Sequence, residues 1–292
     1  MRSNSLTVFR NLLRLVTLPF VAFILPGLFG LAPANAAEAH IPTDAEAMGI
    51  LQAVCPGQIR KEASKGGPDY GCGGCPSFTG FAGQDPSPGN APDFDLRQVL
   101  EGSFTRPGAT EMLAEFFGCE PHVSNFGGTV LFEVTGQKWR RVRYAAGVIG
   151  LMRTYARLDG RDLVLVQAGY TGQGQATNWI AAYDFSLKPD PGEHTLLTLE
   201  DNSGNACEAE RVAIGYFDKI EYPDLNGDGK PDLRVALHWG HASVPAKFRG
   251  HCDRAFKPPP APVYTIDFLF DGKSFRVAPG SAALLRKVSA KN

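Results

Sequence analysis

From about residue 127 onward, apolar and polar positions alternate with a period of two, the mark of strands that bury one face. Residues 129–134 and 139–144 flank a Thr135-Gly136 turn and predict a β-hairpin. Residues 264–270 and 275–277 repeat that form around Asp271 and Gly272. The apolar runs 163–166 and 179–185 predict two further strands, with Gly169, Gly172 and Gly174 in a flexible loop between them, and 233–237 alternates like a half-buried strand. Upstream the period differs. Thr43 and Glu46 have the spacing of a capping box, and Ala47, Ile50, Leu51 and Val54 follow at helical spacing until Pro56-Gly57. Residues 109–117 predict a second short helix that buries Met112, Leu113, Phe116 and Phe117, with Gly118 as its stop. Between the two, 66–92 is rich in Gly, Pro and Ser and reads as irregular and disulfide-held. The expected fold is mainly β, an open β-sheet assembly or sandwich with a small disulfide-bonded α-helical N-terminal region. Its divisions are 1–36, a leader; 37–126, the Cys/Gly/Pro-rich region with short helices; and 127–292, the β-domain.

The leader assignment rests on Arg2, Arg10 and Arg14, an apolar run over 15–25, and Ala34-Asn35-Ala36 as a signal peptidase site. That run is shorter than the ~20 residues a spanning helix needs, and Pro19 and Pro26 interrupt it. The expectation is therefore a secreted or periplasmic protein starting at Ala37, with no membrane span after cleavage. The remaining length suffices for one large domain or two small ones. The 29 basic side chains, less those three arginines, leave 26 against 30 acidic ones, a net charge of −4. Nucleic acid is a poor partner for such a chain, because phosphate binding rests on a basic surface. All six cysteines follow the leader, and an even count in an exported chain predicts disulfides. Clustering favours one set among Cys55, Cys72, Cys75 and Cys119, and a Cys207–Cys252 bridge.

The sharpest chemical signal is at 224–232, where oxygen-bearing residues recur at alternate positions. Calcium needs six to eight oxygens, and this spacing turns successive side chains inward. Asp224, Asn226 and Asp228 are candidate ligands, Gly229 permits the sharp turn, the Lys230 carbonyl supplies a further oxygen, and Asp232 closes the set. An EF-hand would require Glu at the twelfth position and flanking helices; Val235 stands there, ahead of a strand pattern. The loop is expected in β-structure, with a structural Ca²⁺.

The string from Asp224 to Leu233, leading directly into a strand, resembles the calcium-binding loop of FG-GAP and VCBS-type repeats, the blades of integrin-like β-propellers. Residues 264–277 are similar to the hairpin of those repeats. The resemblance implies that Asp224, Asn226, Asp228, Asp232 and the Lys230 carbonyl hold a calcium that braces a hairpin. The Phe-Gly and Gly-Ala-Pro signatures are absent, and the β-like stretch has room for roughly two or three blades, short of a closed propeller. Residues 158–166 look like a shortened copy of 225–237, the Asp-Leu pairs at 162 and 232 lying 70 positions apart, so two propeller-blade-like repeats are one reading and generic turn chemistry the other.

Other clusters carry weaker chemistry. Cys72 and Cys75 have thiol-oxidoreductase spacing but no strand-helix context to lower a thiol pKa, which favours a structural role. His238 and His241, with His251 and Cys252, could ligate a transition metal, although they stand just beyond the expected strand. His122 reads as a loop residue. The glycines at 169, 172 and 174 fit neither the dinucleotide fingerprint nor Walker A. Trp179, Trp239, Tyr170 and Tyr183 would form a sugar or peptide surface if they cluster, and core otherwise. No nucleophile elbow, His-Glu-x-x-His or Ser-x-x-Lys set is present. The expected function is an exported calcium-binding β protein acting as a binding or structural module toward an unknown protein or glycan. The alternative is a secreted hydrolase of an envelope or extracellular polymer that uses a carboxylate pair; no catalytic residue is assigned.

Overall fold

The computed structural model describes residues 37–64, 67–78, 94–119, 127–136 and 138–289, so the expected leader and His122 lie outside the described residues. Three antiparallel sheets, none closed, follow one another along the chain. The first takes, in spatial order, β1 (Ile59–Ser64), β2 (Gly67–Cys72), β3 (Phe94–Gly102), β4 (Glu111–Gly118), β5 (Gly127–Thr135) and β6 (Lys138–Ala146). The second contains β7 (Leu151–Ala156), β8 (Asp162–Gly172), β9 (Gln175–Asp184) and β10 (Gly192–Asp201). The third contains β11 (Arg211–Glu221), β12 (Leu233–Ser243), β13 (Val263–Phe270) and β14 (Phe275–Val277). Each strand pairs with its sequence neighbour, so every sheet is a meander. The first sheet runs across the division expected at residue 127.

The sheets are stacked in layers, and alternation along each strand feeds the cores on either side. Helix α1 (Asp44–Val54) lays Ala47, Ile50, Leu51 and Val54 against Met112, Ala114, Phe116, Val130 and Phe132 of the first sheet. The opposite face of that sheet sends Leu100, Leu113 and Leu131 toward Val164, Val166, Ala181 and Tyr183 of the second. The second sheet in turn directs Leu163, Leu165, Ile180 and Ala182 toward Leu233, Val235, Leu237, Ile266 and Phe268 of the third. Phe94 and Phe116 stack at 4.3 Å beneath α1, both fully buried, each contributing about 1.5–3 kcal/mol through burial. The capping box forms as expected, with the Thr43 hydroxyl accepting from Glu46 N–H at 3.3 Å and Thr43 N–H donating to Glu46 at 2.7 Å. Residues 37–40 tie the first two sheets together: Ala39 and Thr154 N–H donate to Met152 and Ala37 carbonyls, while His40 and Val99 exchange a pair of bonds at 2.9 Å.

This layering accounts for where the sequence misleads. The helix expected over 109–117 is strand β4, because a strand buried on both faces carries an unbroken apolar run that its periodicity cannot distinguish from a helix. Met112, Ala114 and Phe116 fill one core and Leu113 the other. The region expected to be irregular from 66 opens with β2, paired along its length to β1. The expected loop at 169–175 contracts to Gln173-Gly174, with φ of 50° and 74°, closing a two-residue hairpin between Gly172 and Gln175. The hairpins expected at 129–144 and 264–277 are β5–β6 and β13–β14, with Val134 opposite Trp139 and Phe270 opposite Phe275.

Candidate calcium loop

The loop at 224–232 joins β11 to β12, and its side chains chiefly satisfy its own backbone. The Asp224 carboxylate accepts from Gly227 N–H at 2.8 Å and Asp228 N–H at 3.2 Å through Oδ1, and from Gly229 N–H at 2.9 Å through Oδ2. Asn226 Oδ1 accepts from Asp228 N–H at 2.9 Å, and Asp228 Oδ1 from Lys230 N–H at 3.0 Å. These are Asx-type turns, with short side chains standing in for a backbone acceptor. Gly227 and Gly229 hold φ of 76° and 80°, where an added Cβ would meet open space; the demand for glycine is therefore conformational. Asp224, Asn226 and Asp228 are exposed. The Lys230 ammonium, 2.8 Å from Asp228 Oδ2, and the Lys230 amide hold the Asp228 carboxyl below its usual range.

Asp232 behaves differently. It is fully buried, its Oδ2 accepting from Leu225 N–H at 2.8 Å and its Oδ1 from Phe270 N–H at 2.7 Å, while its own N–H donates to the Pro223 carbonyl at 2.8 Å. One carboxylate thus fastens the start of the loop and the end of β13 to the start of β12. The structure brings Asp224, Asn226 and Asp228 together on the exposed turn and places Asp232 beneath it.

Among the described residues, the only three His, Cys, Asp or Glu ligand atoms within 4.8 Å of one another belong to Cys207, Glu208 and Cys252, and both of those sulfurs are in a disulfide. The donor set of the loop nevertheless suits a hard cation. It is all oxygen, with lone pairs left on each carboxylate after its amide bonds, and the Lys230 carbonyl can join it.

The other candidates resolve structurally. Cys72 and Cys75 belong to different bridges, Cys55–Cys72 and Cys75–Cys119, so they do not form a redox pair; Cys207–Cys252 is the third. Three disulfides, with no described helix long and apolar enough to cross a membrane, are compatible with an extracellular or periplasmic protein. His238 and His241 lie within β12 rather than beyond it, because the strand continues to Ser243. Consecutive odd and even positions face opposite ways: His238 stacks on Tyr216 at 4.5 Å with Nδ1 2.9 Å from the Ala261 carbonyl, whereas His241 lies edge-on to Trp239. Trp179 and Tyr183 belong with the core between the first and second sheets and Trp239 with that between the second and third, so these three pack with cores and do not form one shared surface.

Buried and half-buried carboxylates likewise support loops. Glu111 accepts from Phe104 N–H at 2.6 Å and Thr105 N–H at 2.8 Å, and Asp162 from Ser103 N–H at 2.7 Å. Glu115 accepts from Gly150 N–H at 2.7 Å. Burial pushes the Glu115 and Asp162 carboxyls above their usual range.

A cleft of about 860 Å³, with no counterpart among the sequence motifs, lies between β10, β11, the far half of β12 and helix α2 (Ala282–Ser289). Arg211, Trp239, His241, Glu200 and Asn202 line it. Comparison with known protein families, with curated proteins and with solved structures finds no match to this chain.

Proposed function

We propose that the chain is an exported β protein whose loop at 224–232 binds one structural Ca²⁺ through Asp224, Asn226, Asp228 and the Lys230 carbonyl, with Asp232 anchoring the loop, and that it serves as a binding or structural module. The observation that carries this reading is the double anchoring by Asp232: the loop that would receive the ion is fastened to both β12 and β13, so order imposed on the turn reaches the sheet. A second point supports the kinship to FG-GAP and VCBS-type repeats. The loop holding Asp159 and Arg161 joins the first and second strands of its four-stranded meander, as the calcium loop does in its own. There Arg161 donates to Asp159 Oδ2 from Nε at 3.1 Å and a terminal nitrogen at 2.7 Å, so a built-in cation stands where the other loop would take a metal.

A ligand bound only by the folded state stabilises it by RT ln(1 + [L]/Kd), about 2.7 kcal/mol at a hundredfold excess over Kd. Adding chelator to calcium-loaded protein is therefore expected to lower the thermal midpoint by roughly 5–10 °C for a chain of this size. Asp228→Ala, which removes an exposed ligand, should melt at the same temperature with and without chelator. Calorimetry that finds wild type indifferent to both calcium and chelator sinks the proposal.

A further inference from the structure

We infer that the cleft between β10, β11 and α2 binds an acidic saccharide, with Arg211 taking its carboxylate and Trp239 forming its apolar wall. The inference rests on the reading of this chain as a binding module and gives that module its ligand class. The volume lies within the roughly 300–1,000 Å³ of small-molecule sites, and the lining mixes apolar and polar side chains about equally.

The lining carries one permanent cation, Arg211, and one carboxylate, Glu200. Arg211 is exposed and its guanidinium has no ion-pair or hydrogen-bond partner among the described residues. Lys287 stands over the Trp239 ring at 5.2 Å and the Tyr264 ring at 5.8 Å, adding a second cation at the rim. Burial and then the Arg211 charge hold the His241 imidazole below its usual range. Glu200 is the only acidic side chain of the lining. A planar guanidinium fork in such surroundings matches a carboxylate, which it can hold by two parallel bonds.

The backbone selects between anionic ligands. An acidic peptide would most simply add as a strand to β11, the edge of the third sheet. That edge is already occupied: Ala213 N–H donates to Asn202 Oδ1 at 2.6 Å, the Ala213 carbonyl accepts from Asn202 N–H at 3.2 Å, and the Gly215 carbonyl accepts from Asn178 at 3.4 Å. Recognition is left to side chains. Thr198 and Asn202 line the cleft beside Leu197 and Val288, a mixture that suits a ring with apolar faces and a hydroxyl rim.

The test is isothermal titration of the full mature chain, in calcium, with tetramers of galacturonate, mannuronate and glucuronate, with maltotetraose as the neutral sugar and with a glutamate-rich hexapeptide. The acidic sugar is expected to bind, the neutral one at least tenfold more weakly, and Arg211→Gln to lose roughly tenfold in affinity for the acidic one, as for a lost charged hydrogen bond. Arg211 is exposed, so this variant keeps the wild-type melt. Failure of galacturonate, mannuronate and glucuronate oligomers to bind overturns the inference. So does tighter binding of the peptide, or an Arg211→Gln variant with wild-type affinity. Repeating the titration in chelator separates the two readings. Sugar binding by a protein whose melt ignores calcium upholds the cleft and sinks the calcium brace, whereas a calcium-stabilised protein that binds no acidic sugar does the reverse.

Discussion

Full reduction of the three disulfides is expected to unfold the chain at room temperature. Cys55–Cys72 spans 17 residues, Cys75–Cys119 spans 44 and Cys207–Cys252 spans 45. Restricting the unfolded chain by loops of those lengths stabilises the fold by about 3, 4 and 4 kcal/mol. The loops share no residue, so the terms are close to additive and together reach about 11 kcal/mol. A domain's whole stability is typically about 5–15 kcal/mol, which leaves little or nothing once the bridges are gone. The measurement is far-ultraviolet circular dichroism after reduction in urea and return to buffer with reductant, with alkylation and mass confirming six free thiols. A reduced chain that still melts cooperatively within a few degrees of the oxidised one would show that the layered core suffices. Cys207→Ser/Cys252→Ser alone should remove about 4 kcal/mol in a urea titration, since one loop is freed. Such dependence would tie the protein to an oxidising compartment by its energetics, independently of the expected leader.

What the sequence made legible follows from what marks each strand. Short glycine turns join β5 to β6 and β13 to β14, so the hairpins at Val134/Trp139 and Phe270/Phe275 could be placed nearly to register, although β5, like β4, buries both faces. β4 lies inside a stack, and both faces are apolar, which erased the period that would have named it a strand. β10 and β11 were invisible for another reason. Each carries a register shift, at Thr195/Leu197 and at Phe217/Lys219, and a bulge moves the following side chains out of phase with those before it. Because those two strands wall the cleft, Arg211 and Glu200 could not be placed together in advance. The oxygen-rich spacing of the 224–232 turn was readable because its geometry is local. That Asp232 is a buried anchor was not, because burial of one aspartate depends on β13, 38 residues away.

Asp232→Ala is expected to cost about 3–5 kcal/mol even in chelator, because it leaves two backbone donors without an acceptor at about 1–3 kcal/mol each, and removes a packed group. The Phe270 amide is held at 2.7 Å and the Leu225 amide at 2.8 Å by opposite oxygens of one carboxylate. No water reaches a fully buried side chain to replace it. For a chain of this size the loss corresponds to a fall of roughly 10 °C in thermal midpoint. Asp228→Ala supplies the contrast, since that carboxylate is exposed and its removal in chelator should change stability by no more than about 0.5 kcal/mol. Asp232→Asn should fall between, as the amide keeps one acceptor and turns a donor toward the other N–H. In calcium the order changes in an informative way: Asp228→Ala should lose the whole ligand-dependent increment, while Asp232→Ala should lose its anchor and, with the loop untied, much of that increment as well. Equal melts for the two alanine variants in chelator would mean that the loop is held by its own turns, and that Asp232 is not the link through which an ion on the turn could reach the sheet.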